Sequence, residues 1–398
     1  MQTGAILLDS LRLLRSRKLF WISLGISVVV MLAYASIGFG EKGLSLFFGA
    51  WELEDPFFTK GSPWSRALYL GLFSNIVVTV WLTWAATILA LVSTSSVFPD
   101  FMSAGSIELV LSKPISRVRV FLVKYLGSLL FVLLQVLVFC TGVFICVGVR
   151  LDEWLWSIFA AVPLVTIFFS YLYAFNVLMG LLTRSGLAAL LFTAVFWFLL
   201  FAVQSGEAAL GGITREQEVR MEAIEKRVVE QEARLERLSA SDRPSDQRAK
   251  ERVATELEAN RARLAEDAQR LDTIRRWHGP FETLMAVLPK NQETIALLDR
   301  WLAPDARYTF TELMLGDYRE EPKPAEAPAA EGDAAAEPAP DSERERRRAE
   351  RRDVDREATR RGESDLRSTS AVFIIGTSLA FEAVILALAA WIFARRDF

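Results

Sequence analysis

The chemistry-bearing residues of this chain lie in unusual places. Glu382 stands in the middle of an apolar run, flanked by Phe381 and Ala383. An ionisable group at that depth in a lipid-facing segment is costly, and usually faces a bundle interior or a cavity. It could serve a substrate path or carry protons, or it could be a protonated or hydrogen-bonded helix contact. Asn75, Gln135 and Asn176 sit at comparable depth in other apolar runs, as interhelical hydrogen-bond formers or partners for Glu382. The single histidine, His278, reads as an interfacial surface residue rather than a ligand. Cys140 and Cys146 share one apolar run and, six residues apart on a helix, point about 120° away from each other. They read as small apolar side chains. No Cys/His cluster has metal-ligand spacing, and no nucleophile–base set is complete. No Gly-x-x-x-x-Gly-Lys-Ser/Thr loop, G-x-S-x-G elbow or His-Glu-x-x-His motif occurs, so no catalytic residue, metal or cofactor is assigned to the chain, and it is read as a non-enzyme.

The elements that must position these residues are membrane helices. Of 398 residues, 52% are hydrophobic, and the mean hydropathy is +0.27, which suits a membrane protein with a polar part attached. A net charge of -3 gives no hint of nucleic-acid binding. A span needs about 20 apolar residues, and six segments qualify, at about 19–39, 67–92, 121–148, 155–182, 187–204 and 371–394. Ala33-Tyr34-Ala35 has the pattern of a signal-peptidase site, but its apolar run continues to Phe39 and is read as the first span. Short-loop Lys and Arg set the orientation. Arg12, Arg15, Arg17 and Lys18 precede the first span; Lys113, Arg117 and Arg119 follow the second; Arg184 follows the fourth; Arg395 and Arg396 follow the last. Both termini are therefore expected in the cytoplasm of a bacterial cell, with the chain in the inner membrane. Residues 1–18 form a basic amphipathic segment, read either as an interfacial helix or as a topology anchor.

Residues 205–370 then fall outside the cytoplasm. Gly211-Gly212 loosens the chain, and Thr214 with Gln217 reads as a capping box that starts a helix. Met221, Ile224, Val228, Gln231, Leu235 and Leu238 keep spacings of three and four. After a turn at Ser239–Ser245, Val253, Leu257, Leu264, Leu271 and Ile274 continue a heptad stripe. The pattern predicts an antiparallel coiled-coil hairpin. Its reading is open between an arm toward an extracytoplasmic partner and a solvated decoration. Short Pro-broken helices at the membrane surface follow over Trp277–Leu302. Residues 319–370 begin rich in Pro, Ala and Glu and turn Arg-rich; they are expected to be disordered, or partly helical near Glu343–Arg361.

One polar segment between the second and third spans carries a family signal: Gly105-Ser106-Ile107-Glu108-Leu109-Val110-Leu111-Ser112-Lys113-Pro114-Ile115-Ser116-Arg117, then Lys124-Tyr125-Leu126-Gly127. It resembles the cytoplasmic loop of ABC-2 type transporter permeases, and most nearly the nitrous-oxide-reductase maturation and gliding-motility permeases. The basic N-terminal segment, the six spans and the ending Phe393-Ala394-Arg395-Arg396-Asp397-Phe398 also fit, while the insert at 205–370 exceeds that family's usual external segment. The resemblance implies a permease homodimer or heterodimer with separate ATPase subunits that hold ATP and Mg. Gly105, Ser106, Ile107, Glu108, Lys113, Pro114 and Arg117 would form the ATPase-coupling loop within residues 98–124. The expected fold is thus an all-α polytopic membrane protein: segment 1–18, spans one to five in 19–204, an external part at 205–318, a low-complexity stretch at 319–370, and the sixth span with its tail at 371–398. Its expected role is ATP-driven export of a substrate the sequence does not identify. Two other roles stay open: mechanical work on an envelope partner through the coiled coil, and a passive membrane-anchored scaffold or sensor.

Overall fold

A computed structural model describes residues 18–102, 116–240, 244–302, 351, 353–362, 364–365 and 368–396. Helix dominates, and strand is confined to one small sheet. The expected all-α class with several membrane-length helices is what these residues form.

The chain divides into two compact units. The first holds residues up to Leu200, Leu288–Ala327 and Ala371–Phe398. It opens with α1, Lys18–Ala35. At about 1.5 Å per residue, these 18 residues reach roughly 27 Å, slightly under a bilayer's hydrocarbon core. The helix stops short of the expected Phe39 because the chain turns into strands β1 (Gly38–Phe39), β2 (Gly43–Leu46) and β3 (Trp51–Glu54). They form an antiparallel sheet with Leu44 opposite Leu53 and Leu46 opposite Trp51. Gly43 takes a φ of +148°, and a Cβ there would collide with the Leu53 carbonyl oxygen, so only glycine fits. Sequence patterning over two- and four-residue strands was too short to announce this sheet.

The second apolar run begins with the Ser62 hydroxyl accepting from the Ser65 N–H at 3.1 Å and Pro63 in the first turn. It contains α2 (Pro63–Gly71), a π-wound stretch (Leu72–Ala86), α3 (Thr87–Thr94) and α4 (Val97–Phe101). Thr79 and Thr87 donate to carbonyls five residues back, Ser74 and Leu82, matching the wide winding. Helix α5 (Arg117–Leu151) is capped by Ser116, and α6 (Ala161–Thr183) follows a 3-10 turn at Trp156–Ala160. Helix α7 runs over Gly186–Ser239, α8 over Pro244–Val287, α9 over Asn291–Leu302 and α10 over Ala371–Arg395. Among the described residues, five helical runs are long and apolar enough to cross a membrane, and α1 supplies a shorter apolar stretch, Trp21–Ala35.

Helix α6 is the hub of this unit, packed against α5, α9, α10 and the second run. Its Phe168, Phe169, Leu172 and Tyr173 are almost fully buried. The apolar start of α7 does the opposite, exposing Leu187, Leu191, Phe192, Val195 and Phe198. A helix face this apolar and unpartnered suits lipid rather than water.

The second unit comprises residues 201–287 and 328–370. Here α7 and α8 lie side by side and antiparallel. Arg275 donates to Glu218 at 2.7 Å, Arg261 to Glu232 at 2.6 Å, and Asn260 to Gln231 at 3.0 Å. Val228, Val253, Leu257 and Leu271 are buried between charged faces, as the stripe predicted. Two expectations fail. Helix α7 does not begin at Thr214 but runs through Gly211-Gly212, with Thr214 donating back to the Leu210 carbonyl at 2.8 Å. Two glycines lower helix propensity by about 1 kcal/mol each, which the long helix on either side outweighs. Likewise α8 passes through Pro280, and the break falls at Leu288-Pro289, where α8 has already ended. Residues 353–362, in the stretch expected to be disordered or partly helical near Glu343–Arg361, are helical, and Arg361 reaches both carboxylate oxygens of Glu222 at 2.7 Å. The Pro/Ala/Glu-rich part lies outside the described residues, as does the 1–17 segment.

Candidate functional site

Two groups of residues stand out, both in the first unit. The first flanks the loop that carries the family signal. Gly105, Ser106, Ile107, Glu108, Lys113 and Pro114 lie outside the described residues; Arg117 and the helix ends around the loop are described. Arg117 opens α5, and its Nη1 donates to the carbonyls of Ala394 at 3.2 Å and Arg396 at 2.7 Å. A guanidinium there satisfies carbonyls that the end of α10 leaves unpaired. Arg396 in turn donates to the Leu181 carbonyl near the end of α6 and lies 3.7 Å from the Met102 sulfur. Burial, then the like charge of Arg184, lowers the Arg396 pKa. Beneath these caps, Phe393 packs on Phe101 and Phe121, with ring centroids 6.3 and 5.8 Å away. Lys124 is buried with its ammonium 4.2 Å from the Phe101 ring centre. Both edges of the loop are therefore tied to the ends of α6 and α10.

The second group surrounds Glu382, which is only 7% exposed. The Tyr125 hydroxyl donates to its Oε1 at 2.7 Å, and the Ser170 hydroxyl donates to its Oε2 at 2.7 Å. These bonds join α10 to α5 and α6. No Lys, Arg or His among the described residues makes an ion pair with Glu382. The rings of Tyr125 and Tyr173 stack at 5.4 Å, and each hydroxyl reaches a serine of the opposite helix: Tyr173 donates to Ser128 at 2.9 Å, while Tyr125 also lies 3.1 Å from the Ser170 carbonyl. A buried carboxyl so supplied is hydrogen-bonded without being neutralised.

The other polar residues of the apolar runs lie apart from Glu382. Asn176 donates to Thr193 at 3.1 Å, joining α6 to α7. Gln135 donates to Ser23, joining α5 to α1, and lines a small cleft with Ser27 and Thr87. Asn75 bonds within its own helix, to Ser74 and to the Gly71 carbonyl. His278 is mostly shielded rather than a surface residue, with Nδ1 3.2 Å from Glu282 and Nε2 3.6 Å from Glu207. Among the described residues no group of His, Cys, Asp and Glu could hold a metal ion.

Sequence reading singled out Glu382 but missed Tyr125, Ser128, Ser170 and Tyr173. The signal was available: Tyr and Ser three apart in each of two apolar runs put their hydroxyls on one helix face. Comparison with family models, with curated proteins and with solved structures gives no match to this chain.

Proposed function

We propose that this chain is the membrane-spanning permease subunit of an ATP-driven exporter of the ABC-2 type. It would work as a homodimer or heterodimer with a separate ATPase subunit that supplies the P-loop, ATP and Mg. The observation that carries this reading is the binding of both loop edges to other helices. Phe101 and Met102 on one side, and Arg117 on the other, contact Phe393, Ala394 and Arg396. A push on residues 103–115 is therefore delivered to α10 directly, and through Arg396 to α6. Glu108 offers the charge that a basic ATPase residue would engage. In this reading the loop and both termini face the cytoplasm of the inner membrane, which the Lys and Arg distribution supports.

The test is to purify the chain from its native membrane and to measure ATP hydrolysis by any P-loop ATPase that co-purifies with it. Glu108→Lys is expected to leave the chain inserted and the complex assembled, but to remove stimulation by substrate. Unchanged stimulation would take Glu108 out of the coupling role, and failure of any ATPase to co-purify would favour a passive scaffold.

The paired stripe of α7 and α8 supports a second reading, in which a coiled-coil hairpin carries mechanical work to an envelope partner. Deleting residues 214–277 separates the two. Export that survives the deletion makes the hairpin accessory; loss of function with an intact ATPase complex favours the mechanical reading.

A further inference from the structure

Each hydroxyl on Glu382 has a second acceptor. Tyr125 can turn from Oε1 to the Ser170 carbonyl at 3.1 Å, and Ser170 from Oε2 to the Ile167 carbonyl at 2.7 Å. With the carboxyl ionised, both hydroxyls donate to it. With the carboxyl protonated, one hydroxyl turns to its carbonyl and accepts the carboxyl proton. The same heavy atoms thus satisfy both protonation states, which a site built only to hold a helix contact does not need.

A polar route also leads toward this group. Ser378 lies one turn, about 6 Å along the axis, before Glu382 on α10 and is fully buried. It accepts from the Lys290 N–H at 2.9 Å, just before α9 begins. The Tyr171 hydroxyl on α6 faces Ser378 and Thr294, closes no hydrogen bond of good geometry with either, and is within electrostatic range of Glu382. At the head of α9, Asn291 is 4% exposed and its side-chain amide has neither donor nor acceptor paired. Buried polar atoms left unpaired, here those of Tyr171 and Asn291, are where water or a hydrated proton is held. The charged and titratable groups around the route are few: Tyr125 from α5, Tyr171 and Tyr173 from α6, and from the α9 side Lys290, 3.5 Å from Glu293 and 4.6 Å from the Phe373 ring centre.

We propose that Glu382 is a reversible proton-binding site inside the helix bundle, loaded from the α9 end along Asn291, Thr294, Tyr171 and Ser378. The proton arrives on water, binds one carboxyl oxygen, and leaves by the same oxygen; no other bond changes. This goes beyond ATP coupling and does not depend on it.

The test uses the full chain in lipid nanodiscs and dicyclohexylcarbodiimide, an apolar reagent that reacts with protonated carboxyls in membranes. The adduct on the peptide containing Glu382 is quantified by mass spectrometry, with Glu382→Gln as the blank. Labelling is expected to be highest at acid pH and, once the carboxyl ionises, to fall about tenfold for each further pH unit. Wild-type labelling that does not change with pH overturns the proposal. Entry is tested by infrared detection of the Glu382 carboxyl after a pH jump. Asn291→Leu and Tyr171→Phe are expected to slow its appearance severalfold while leaving the final amplitude unchanged. Unslowed kinetics in both variants would overturn the route. Because wild-type labelling decides the site itself, poor folding of a variant leaves that result standing.

Discussion

Replacing Tyr125 by Phe isolates one hydroxyl. The ring remains and keeps its stack on Tyr173 at 5.4 Å and 12°, so packing is preserved. What is lost is the 2.7 Å bond to Glu382 Oε1 and its alternative on the Ser170 carbonyl. A hydrogen bond between neutral groups contributes about 0.5–1.5 kcal/mol and one to a charged group about 1.5–3 kcal/mol. Inside membranes measured values run lower, near 0.6 kcal/mol on average and at most about 1.7 kcal/mol. Tyr125→Phe should therefore cost about 0.6 kcal/mol where Glu382 is protonated and up to about 1.7 kcal/mol where it is ionised. The assay is equilibrium unfolding of the full chain in mixed detergent micelles, repeated at pH values on either side of the carboxyl's titration. A double-mutant cycle with Glu382→Gln assigns the loss to this pair. A cost below about 0.3 kcal/mol at every pH, with no coupling in the cycle, would refute the idea that the hydroxyl and carboxyl bind α5 to α10.

Arg117→Ala should free the end of α10 from α5; two charge-assisted bonds are lost, and about 1.5–3 kcal/mol is expected for each that stays desolvated. A cysteine pair placed across that contact should crosslink more slowly in Arg117→Ala. In the second unit, Arg361 holds the Glu222 carboxyl below its ordinary value. A depressed folded-state pKa means that the bond stabilises above the unfolded-state value and is lost as pH falls through the folded one. Amide-exchange protection of residues 353–362 should then hold at neutral pH and fall below about pH 4, and Glu222→Gln should remove that step. Protection unchanged at lower pH would show that the pair, exposed as it is, does not hold the segment.

The sequence made some of this legible and hid the rest for identifiable reasons. Long apolar runs showed where the helices are, because a membrane-length helix needs only composition and length. The α7–α8 stripe was equally readable, since Val228, Val253, Leu257 and Leu271 fall where spacings of three and four place them. Helix ends were harder. Gly211-Gly212 and Pro280 carry strong local signals against helix, yet the long helices around them run on. The sheet at 38–54 depends on the tight approach at Gly43 and on left-handed Phe47 and Phe48, neither of which leaves a periodic trace. At the candidate site, burial cost alone drew attention to Glu382. Its partners could not be read, because which helices meet it is a matter of packing; Tyr125 and Ser170 are 257 and 212 residues away in the chain.

The position of Glu382 midway along α10 has an electrical consequence. One elementary charge moved across a whole membrane field changes energy by about 2.3 kcal/mol per 100 mV. For an α10 that crosses the bilayer, a proton bound at Glu382 has travelled about half of that field, or roughly 1.1 kcal/mol per 100 mV. At 1.36 kcal/mol per pH unit, the occupancy midpoint would move by about 0.8 pH units for each 100 mV. Carbodiimide labelling in liposomes clamped at different diffusion potentials would read that shift, and a midpoint indifferent to voltage would place the carboxyl at the edge of the field. The hydroxyl-lined carboxyl between α5, α6 and α10 would thus sense membrane potential as well as acidity.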